Sequence, residues 1–287
     1  MSVPKSLLMP LSSSGQERER MLSALSVTAH FSARLEVLHA TLNPRQFIPD
    51  EVVARRMPQN LLHELETLAK KYSVTEASEL KKLFLSLCGE YRIQHSERFS
   101  QDGPSAYWQE INGLRSELVG ERGKVSDLII VPQPKSGNPT STFEAAIMHS
   151  GKPVLLVPRT LTTFSADRVL IAWNGSTESA RAVTSALSVL KQAKEVVVGC
   201  SNRSAFREPG IDKLVHYLAH HGVTAVGKRF DSRRCSAGEG LLRLSESVGC
   251  DLIVMGAFTH RRVHEQIFGG VTRHMVGYAK VPVWMMH

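Results

Sequence analysis

Short apolar runs alternate with amphipathic stretches along the whole chain. An apolar run at 5–9 leads into the polar turn Ser12-Ser13-Ser14-Gly15, a helical pattern over 16–30 and a second apolar run at 35–39. The order recurs further on. A run at 168–173 leads into Asn174-Gly175-Ser176-Thr177, a helical pattern over 178–190 and an apolar run at 195–199. The strands read as near-continuous apolar runs, as expected where helices cover both faces of a parallel sheet. Strands alternating with helices indicate βαβ units.

The two halves also end alike. Ser126-Asp127-Leu128-Ile129-Ile130-Val131 matches Cys250-Asp251-Leu252-Ile253-Val254-Met255, and helical patterns are expected before them over 106–122 and 237–248. Each match is followed by a loop, a short helix and a Pro-containing closing strand, at 152–158 and 280–286. A repeat this regular means two copies of one supersecondary plan. The domains are 1–160 and 165–287, with a Thr- and Ser-rich link over 159–167. They are not equal copies. The first carries an excursion over 43–60, with Pro44, Pro49 and Pro58, then helical patterns over 61–72 and 75–88; the corresponding 202–221 holds one helix.

With 287 residues, 42 % hydrophobic and 22 % charged, each half has the material for a core, which excludes a disordered or collagen-like chain. No apolar run approaches the ~18 residues of a membrane span. The N-terminus lacks the apolar core and cleavage site of a secretory leader, so a cytoplasmic location is expected, with no membrane partner. The four cysteines form no C-x-x-C and read as reduced thiols. The net charge of +8 is uneven: residues 1–160 hold 19 Lys and Arg against 17 Asp and Glu, and residues 161–287 hold 16 against 10. The second half is the one suited to an anion. No basic run with interleaved aromatics points to nucleic acid.

Several segments carry a family resemblance. After the strand ending at Met255 come Gly256-Ala257-Phe258-Thr259, then Gly269-Gly270-Val271-Thr272, then Val281-Pro282-Val283. Val169-Leu170-Ile171-Ala172-Trp173-Asn174-Gly175-Ser176 forms a first strand and its turn, and 143–158 a closing helix and strand. Together they resemble a tandem universal stress protein, over nearly the whole chain outside 43–62. The resemblance implies two doubly wound α/β domains, each a five-stranded parallel sheet of order 3-2-1-4-5, with ligands at the switch point between the first and fourth strands. It also implies dimerisation to which the last strands contribute.

Nucleotide-binding members of that family use a first-strand Asp, both glycines of Gly-x-x-Gly and a later Gly-Ser. Three of those positions differ here: Asn174 stands for the Asp, Thr259 for the second glycine and Gly270 for the Ser. Gly256, Gly269, Val271 and Thr272 remain. The physical case for phosphate is independent of the family. A helix expected over 271–278 follows Gly269-Gly270, and unpaired N–H groups at a helix start attract an anion. Gly256 is expected to free the turn, and Thr272 to add a hydroxyl donor. The resemblance implies an adenine nucleotide such as ATP, with Mg²⁺, in the second domain. Its adenosine would lie near Ala172, Asn174 and Cys200, the last at the end of the second strand. In the first domain Val131-Pro132-Gln133-Pro134 lacks Gly-x-x-Gly and proline removes donors, so that half reads as a structural partner.

Other residues invite chemistry. His260 and His264 lie four apart, without a third ligand at metal-site spacing, and read as a solvated basic loop in which Arg261 or Arg262 meets phosphate. Lys228, Arg229, Arg233 and Arg234 cluster after the third strand of the second half, next to Cys235, whose reactivity they would raise. Ser176 or Thr177 is expected to cap the following helix, with Glu178 in its first turn. Trp173 and Trp284 are expected in the core. No Walker lysine, nucleophile elbow or general base beside the phosphate site is visible. The expectation is a stress-response binding module and not an enzyme. The alternatives are a nucleotide-independent interaction scaffold and, third, a weak ATPase.

Overall fold

A computed structural model describes residues 3–12, 15–41, 59–97, 103–233, 235–258 and 269–287. The first half runs β1 (Ser6–Leu11), α1 (Glu17–Phe31), β2 (Arg34–Thr41), α2 (Gln59–Glu90), β3 (Gln94–His95), β4 (Ser105–Asn112), α3 (Arg115–Arg122), β5 (Leu128–Pro132), α4 (Ser141–His149) and β6 (Val154–Val157). The second runs β7 (Arg168–Ala172), α5 (Thr177–Leu190), β8 (Glu195–Ser201), α6 (Ile211–His220), β9 (Ala225–Phe230), α7 (Ala237–Val248), β10 (Leu252–Gly256), α8 (Gly270–Tyr278) and β11 (Val283–Met286).

The second half has the expected order, β9-β8-β7-β10-β11, with every neighbouring pair parallel. The first has the same order, β4-β2-β1-β5-β6, plus the two-residue β3 on its outer edge. The halves are not separate sheets. β6 and β11 pair antiparallel, Leu155 opposite Trp284, giving one sheet of eleven strands among the described residues. The last strands, expected to contribute to contacts between chains, here meet each other within one chain.

Strand alternation sorts the core into two layers. Leu7, Met9 and Leu11 of β1 face one layer and Leu8 the other. In β10, Leu252 and Val254 face the first layer, Ile253 and Met255 the second. Both layers draw on both halves, so helices cover a continuous sheet. Trp284 is buried at the junction, its Nε1 donating to Ser185 Oγ at 2.9 Å. The link is fastened too: Phe164 is buried against Phe31, and its N–H donates to Ser26 Oγ at 2.7 Å.

Three expectations change. The helix foreseen over 106–122 is a strand followed by a shorter helix. Ala106 and Trp108 are buried while Tyr107 and Gln109, on the other face, are only partly so, the strand pairs with β2 along its whole length, and Gly113 at φ 147° breaks the chain before α3. The helices foreseen over 61–72 and 75–88 are one, α2, because no Pro or Gly stands between them to stop it. Lys228 and Arg229 lie within β9 and not after it. Ser13 and Ser14, and most of the 43–60 excursion, lie outside the described residues. No helix among the described residues is long and apolar enough to cross a membrane.

Candidate functional site

The site forms where β7 and β10 part company. β7 ends at Ala172, and Trp173 N–H still pairs with Gly199 O of β8 at 2.8 Å. Trp173 is buried, as expected, and its Nε1 donates to Pro209 O at 2.7 Å. Asn174 Oδ1 accepts the N–H of Ser176 at 3.1 Å, the local bond an Asp would also make. The neutral amide therefore keeps the turn and adds a donor, Nδ2. Gly175 takes φ 70°, which suits glycine. Ser176 caps α5, its Oγ accepting from Ser179 N–H at 3.2 Å, with Glu178 in the first turn.

β10 ends at Gly256 for a different reason from the one expected. Its φ is not positive; a Cβ there would stand 2.5 Å from Ser179 N and 2.7 Å from Glu178 C. Glycine is needed so that the strand end touches the first turn of α5, which is a packing requirement. The positive φ falls on Phe258, at 57°. Phe258 N–H donates to Thr272 Oγ1 at 3.3 Å, so the buried Thr272 ties the end of β10 to α8 while its own O–H remains a donor.

α8 starts without a side-chain cap. Gly269 is its N-cap, and the first-turn N–H groups of Gly270, Val271 and Thr272 have no carbonyl within the helix. A side chain at Gly270 would meet nothing within 4 Å. These groups border a cavity of about 250 Å³ at the carboxyl ends of β7, β8 and β10. Ala172, Asn174, Gly256, Gly269, Gly270, Val271 and Thr272 all line it, as do Met255, Phe230 and Leu241. Cys200 does not. Strand alternation turns its neighbours Gly199 and Ser201 to the cavity, while Cys200 is buried with Sγ 3.5 Å from Ser201 O and its thiol pushed up by burial.

Arg203 and Arg207, on the loop after β8, were not foreseen. Both line the cavity and are exposed, and neither has an ion-pair partner among the described residues. No carboxylate is in the described lining. Two unpaired guanidinium groups and an open helix start face one volume, a setting for an anion with several oxygens. Thr259, His260, Arg261, Arg262, His264 and Arg234 lie outside the described residues. Lys228, Arg229 and Arg233 are exposed and line no part of the cavity. The partly buried Cys235 has Sγ 3.5 Å from Asp231 O. All four cysteines are free.

The matching place in the first half is occupied by the protein's own cations. Arg159 donates through Nε to Gln133 O at 2.7 Å and through Nη1 to Gly15 O at 2.9 Å, bridging the end of β5 to the start of α1. Arg20 is buried and donates to Ser12 O at 2.6 Å, its pKa held down to about 10 chiefly by burial. The helix matching α8 is α4, and it caps itself: Thr140 Oγ1 accepts from Phe143 N–H at 3.3 Å.

Fold and cavity define a class: a doubly wound α/β protein with a ligand-sized opening at one of two switch points. Comparison with known proteins narrows it. Residues 165–287 match the universal stress protein family. The chain superposes on a universal stress protein from Archaeoglobus fulgidus DSM 4304 with a TM-score of 0.65 and 14 % identity, covering 98 % of this chain and 97 % of that one. A functionally unknown protein from Pseudomonas aeruginosa PAO1 superposes with a TM-score of 0.56 and 12 % identity, covering 99 % and 92 %. No curated protein matches the chain. The sequence match thus falls on the second half, and the whole chain shares the fold of the Archaeoglobus universal stress protein.

Proposed function

We propose that this protein is a nucleotide-responsive binding module of the stress response, holding an adenine nucleotide in its second half. The observation that carries this reading is the uncapped start of α8 facing the same cavity as Arg203 and Arg207, with no carboxylate in the described lining. Phosphate would rest on the N–H groups of Gly270, Val271 and Thr272 and on the two guanidinium groups. The adenine preference comes from the family resemblance. Mg²⁺ would ride on phosphate oxygens, since the described lining has no carboxylate to hold it. That lining also has no imidazole or carboxylate placed as a general base, which favours binding over turnover. The expected dimer contact through last strands is not part of the proposal, because β6 and β11 use that edge on each other.

Mass spectrometry of the purified protein for carried nucleotide, followed by titration calorimetry with ATP and Mg²⁺, tests this. Saturable binding is expected, weakened about a hundredfold or more in an Arg203→Ala, Arg207→Ala double variant, since each charged hydrogen bond is worth roughly 1.5–3 kcal/mol. No saturation at millimolar concentration would sink it. The second reading, a nucleotide-independent interaction scaffold, would then stand on Phe206, which is 93 % exposed on the loop carrying both arginines.

A further inference from the structure

The end of β8 brings two residues to the second-half cavity, Gly199 and Ser201. A Cβ on Gly199 would stand 2.6 Å from Leu244 Cδ2 and 3.2 Å from Leu170 Cδ1, so glycine keeps the floor low there. Ser201 supplies the side chain. It is 5 % exposed, and Ser232, on the segment after β9, is fully buried. Ser232 Oγ donates to Ser201 Oγ at 3.3 Å.

The direction of that bond decides what Ser201 can offer. Ser232 has no other side-chain hydrogen bond, and a buried hydroxyl hydrogen without an acceptor is costly. The Ser232 hydrogen therefore goes to Ser201. The Ser201 oxygen accepts it, and the Ser201 hydrogen has no acceptor among the described residues. Strand alternation turns Ser201 to the cavity, so this unspent donor belongs to the cavity. The backbone around it is held in place. Ser201 O accepts from Ser204 N–H at 2.9 Å, and Asn202 N–H donates to Phe230 O at 3.0 Å.

The position of the donor matters as much as its direction. β8 lies two strands from β10, so the end of β8 is roughly 10 Å from the strand end that leads to α8, at about 4.8 Å per strand. The exposed Arg203 and Arg207 stand at the mouth of the cavity, while the buried Ser201 shares its lining with Phe230 and Leu241. In a nucleotide, the edge of a purine farthest from the phosphates carries ring atom N1. That atom is an acceptor in adenine and bears a hydrogen in guanine and hypoxanthine.

We propose that Ser201 donates to N1 of a bound adenine, and that Ser232 is the positioning residue that commits the Ser201 hydrogen to the cavity. This rests on the nucleotide reading above and gives the adenine preference a cause in this chain's own residues. A base with N–H at that place leaves the Ser201 hydrogen without an acceptor, and sites built around such a group discriminate against the mismatched ligand.

The experiment is titration calorimetry of the full chain with ATP and with 1-deazaadenosine triphosphate, each with Mg²⁺. The analogue has C–H in place of N1 and keeps the amino group, sugar and phosphates. The wild type should bind ATP about tenfold more tightly than the analogue, as the loss of one hydrogen bond and the orphaning of its donor require. Ser201→Ala alone would strand the Ser232 hydroxyl, so the variant measured carries Ser201→Ala with Ser232→Ala, which removes both partners and spares the fold. In it ATP affinity should fall about tenfold, to that of the analogue, while the analogue binds as it does to the wild type. Ser232→Ala alone leaves the Ser201 hydroxyl free to turn and should keep only part of the preference; a full preference there would remove Ser232 from its role. Equal binding of the two ligands by the wild type, or a preference that survives in the double variant, would overturn the inference while leaving the nucleotide reading intact. Failure of both ligands to saturate the wild type would overturn the nucleotide reading and this inference with it.

Discussion

The two switch points of this chain are built on one plan and finished in opposite ways. In the first half the fourth strand ends in Pro132, Arg159 and Arg20 bond the loop carbonyls, and α4 is capped by Thr140. In the second half the fourth strand ends in Gly256, Arg203 and Arg207 stay unpaired among the described residues, and α8 is left uncapped behind Gly269. The same elements serve as a closed joint in one place and an open site in the other. What separates them is whether the chain satisfies its own polar groups. A switch point that does so has nothing left to offer a ligand.

The largest effect expected is at Gly256. A valine there would press into backbone at 2.5–2.7 Å, and backbone cannot swing away as a side-chain tip can. Gly256→Val is expected to lower stability by about 1–3 kcal/mol, the range for overpacking a tight site. Gly270→Ala, pointing into open space, should stay within about 0.5 kcal/mol. Urea unfolding of both variants checks this. A Gly256→Val as stable as wild type would mean that the strand end does not need its contact with α5, and would return the glycine to the role first expected, freedom of the turn.

How much of this was legible follows from what each residue answers to. The repeat was plain because Asp127 and Asp251 do the same work. Asp127 Oδ2 accepts from the N–H groups of Lys5 and Ser6, and Asp251 accepts from those of Asp167 and Arg168, so each acid holds the start of its own half's first strand. Cavity residues on the chain turns, Asn174 and Gly269 to Thr272, were found because turn chemistry is local. Cys200 was misplaced by one residue, and a one-residue slip in a strand reverses the face. Arg203 and Arg207 carry no motif. The signal available was their place, just beyond the carboxyl end of the strand next to the switch point, where ligands gather. The strand at Ser105–Asn112 was read as helix because its polar positions mimic an amphipathic face; burial of Ala106 and Trp108 beneath α2 decides the matter.

Acid should separate the halves. Among the described residues the buried charged or basic side chains, Arg20 and His39, both belong to the first half. Burial lowers the pKa of His39, against the opposing pull of Glu76 and Glu110 and with a smaller push from Arg115. It also lowers that of His30, against Asp167 and Asp251. The folded imidazoles resist protons that the unfolded ones accept. Their contribution is therefore complete above the ordinary histidine pKa of about 6.5 and is lost as pH falls through it towards the folded values. Urea midpoints at about pH 7.5 and about pH 5.5 should fall for the wild type and fall less for His39→Leu, which cannot titrate. Equal declines would show that His39 exchanges protons freely in the folded chain.

The finest test exchanges the two finishes. Removing the cap of α4 in Thr140→Ala is expected to cost about 1 kcal/mol. The converse, Gly269→Ser, gives α8 a cap. Gly269 already has φ −53° and ψ 128°, an extended geometry a serine accepts, and the nearest atom to its Cβ is Thr272 Oγ1 at 4.0 Å. The new hydroxyl would accept an N–H from the first turn and stabilise the chain by a few tenths of a kcal/mol. That N–H is one of the donors assigned to phosphate, so the same change should weaken ATP binding. A gain in melting temperature together with a loss of affinity is a result that general damage cannot produce, because damage moves both downwards. If Gly269→Ser raises stability and leaves ATP binding unchanged, the phosphates do not rest on α8, and the open finish of the second half has some other use.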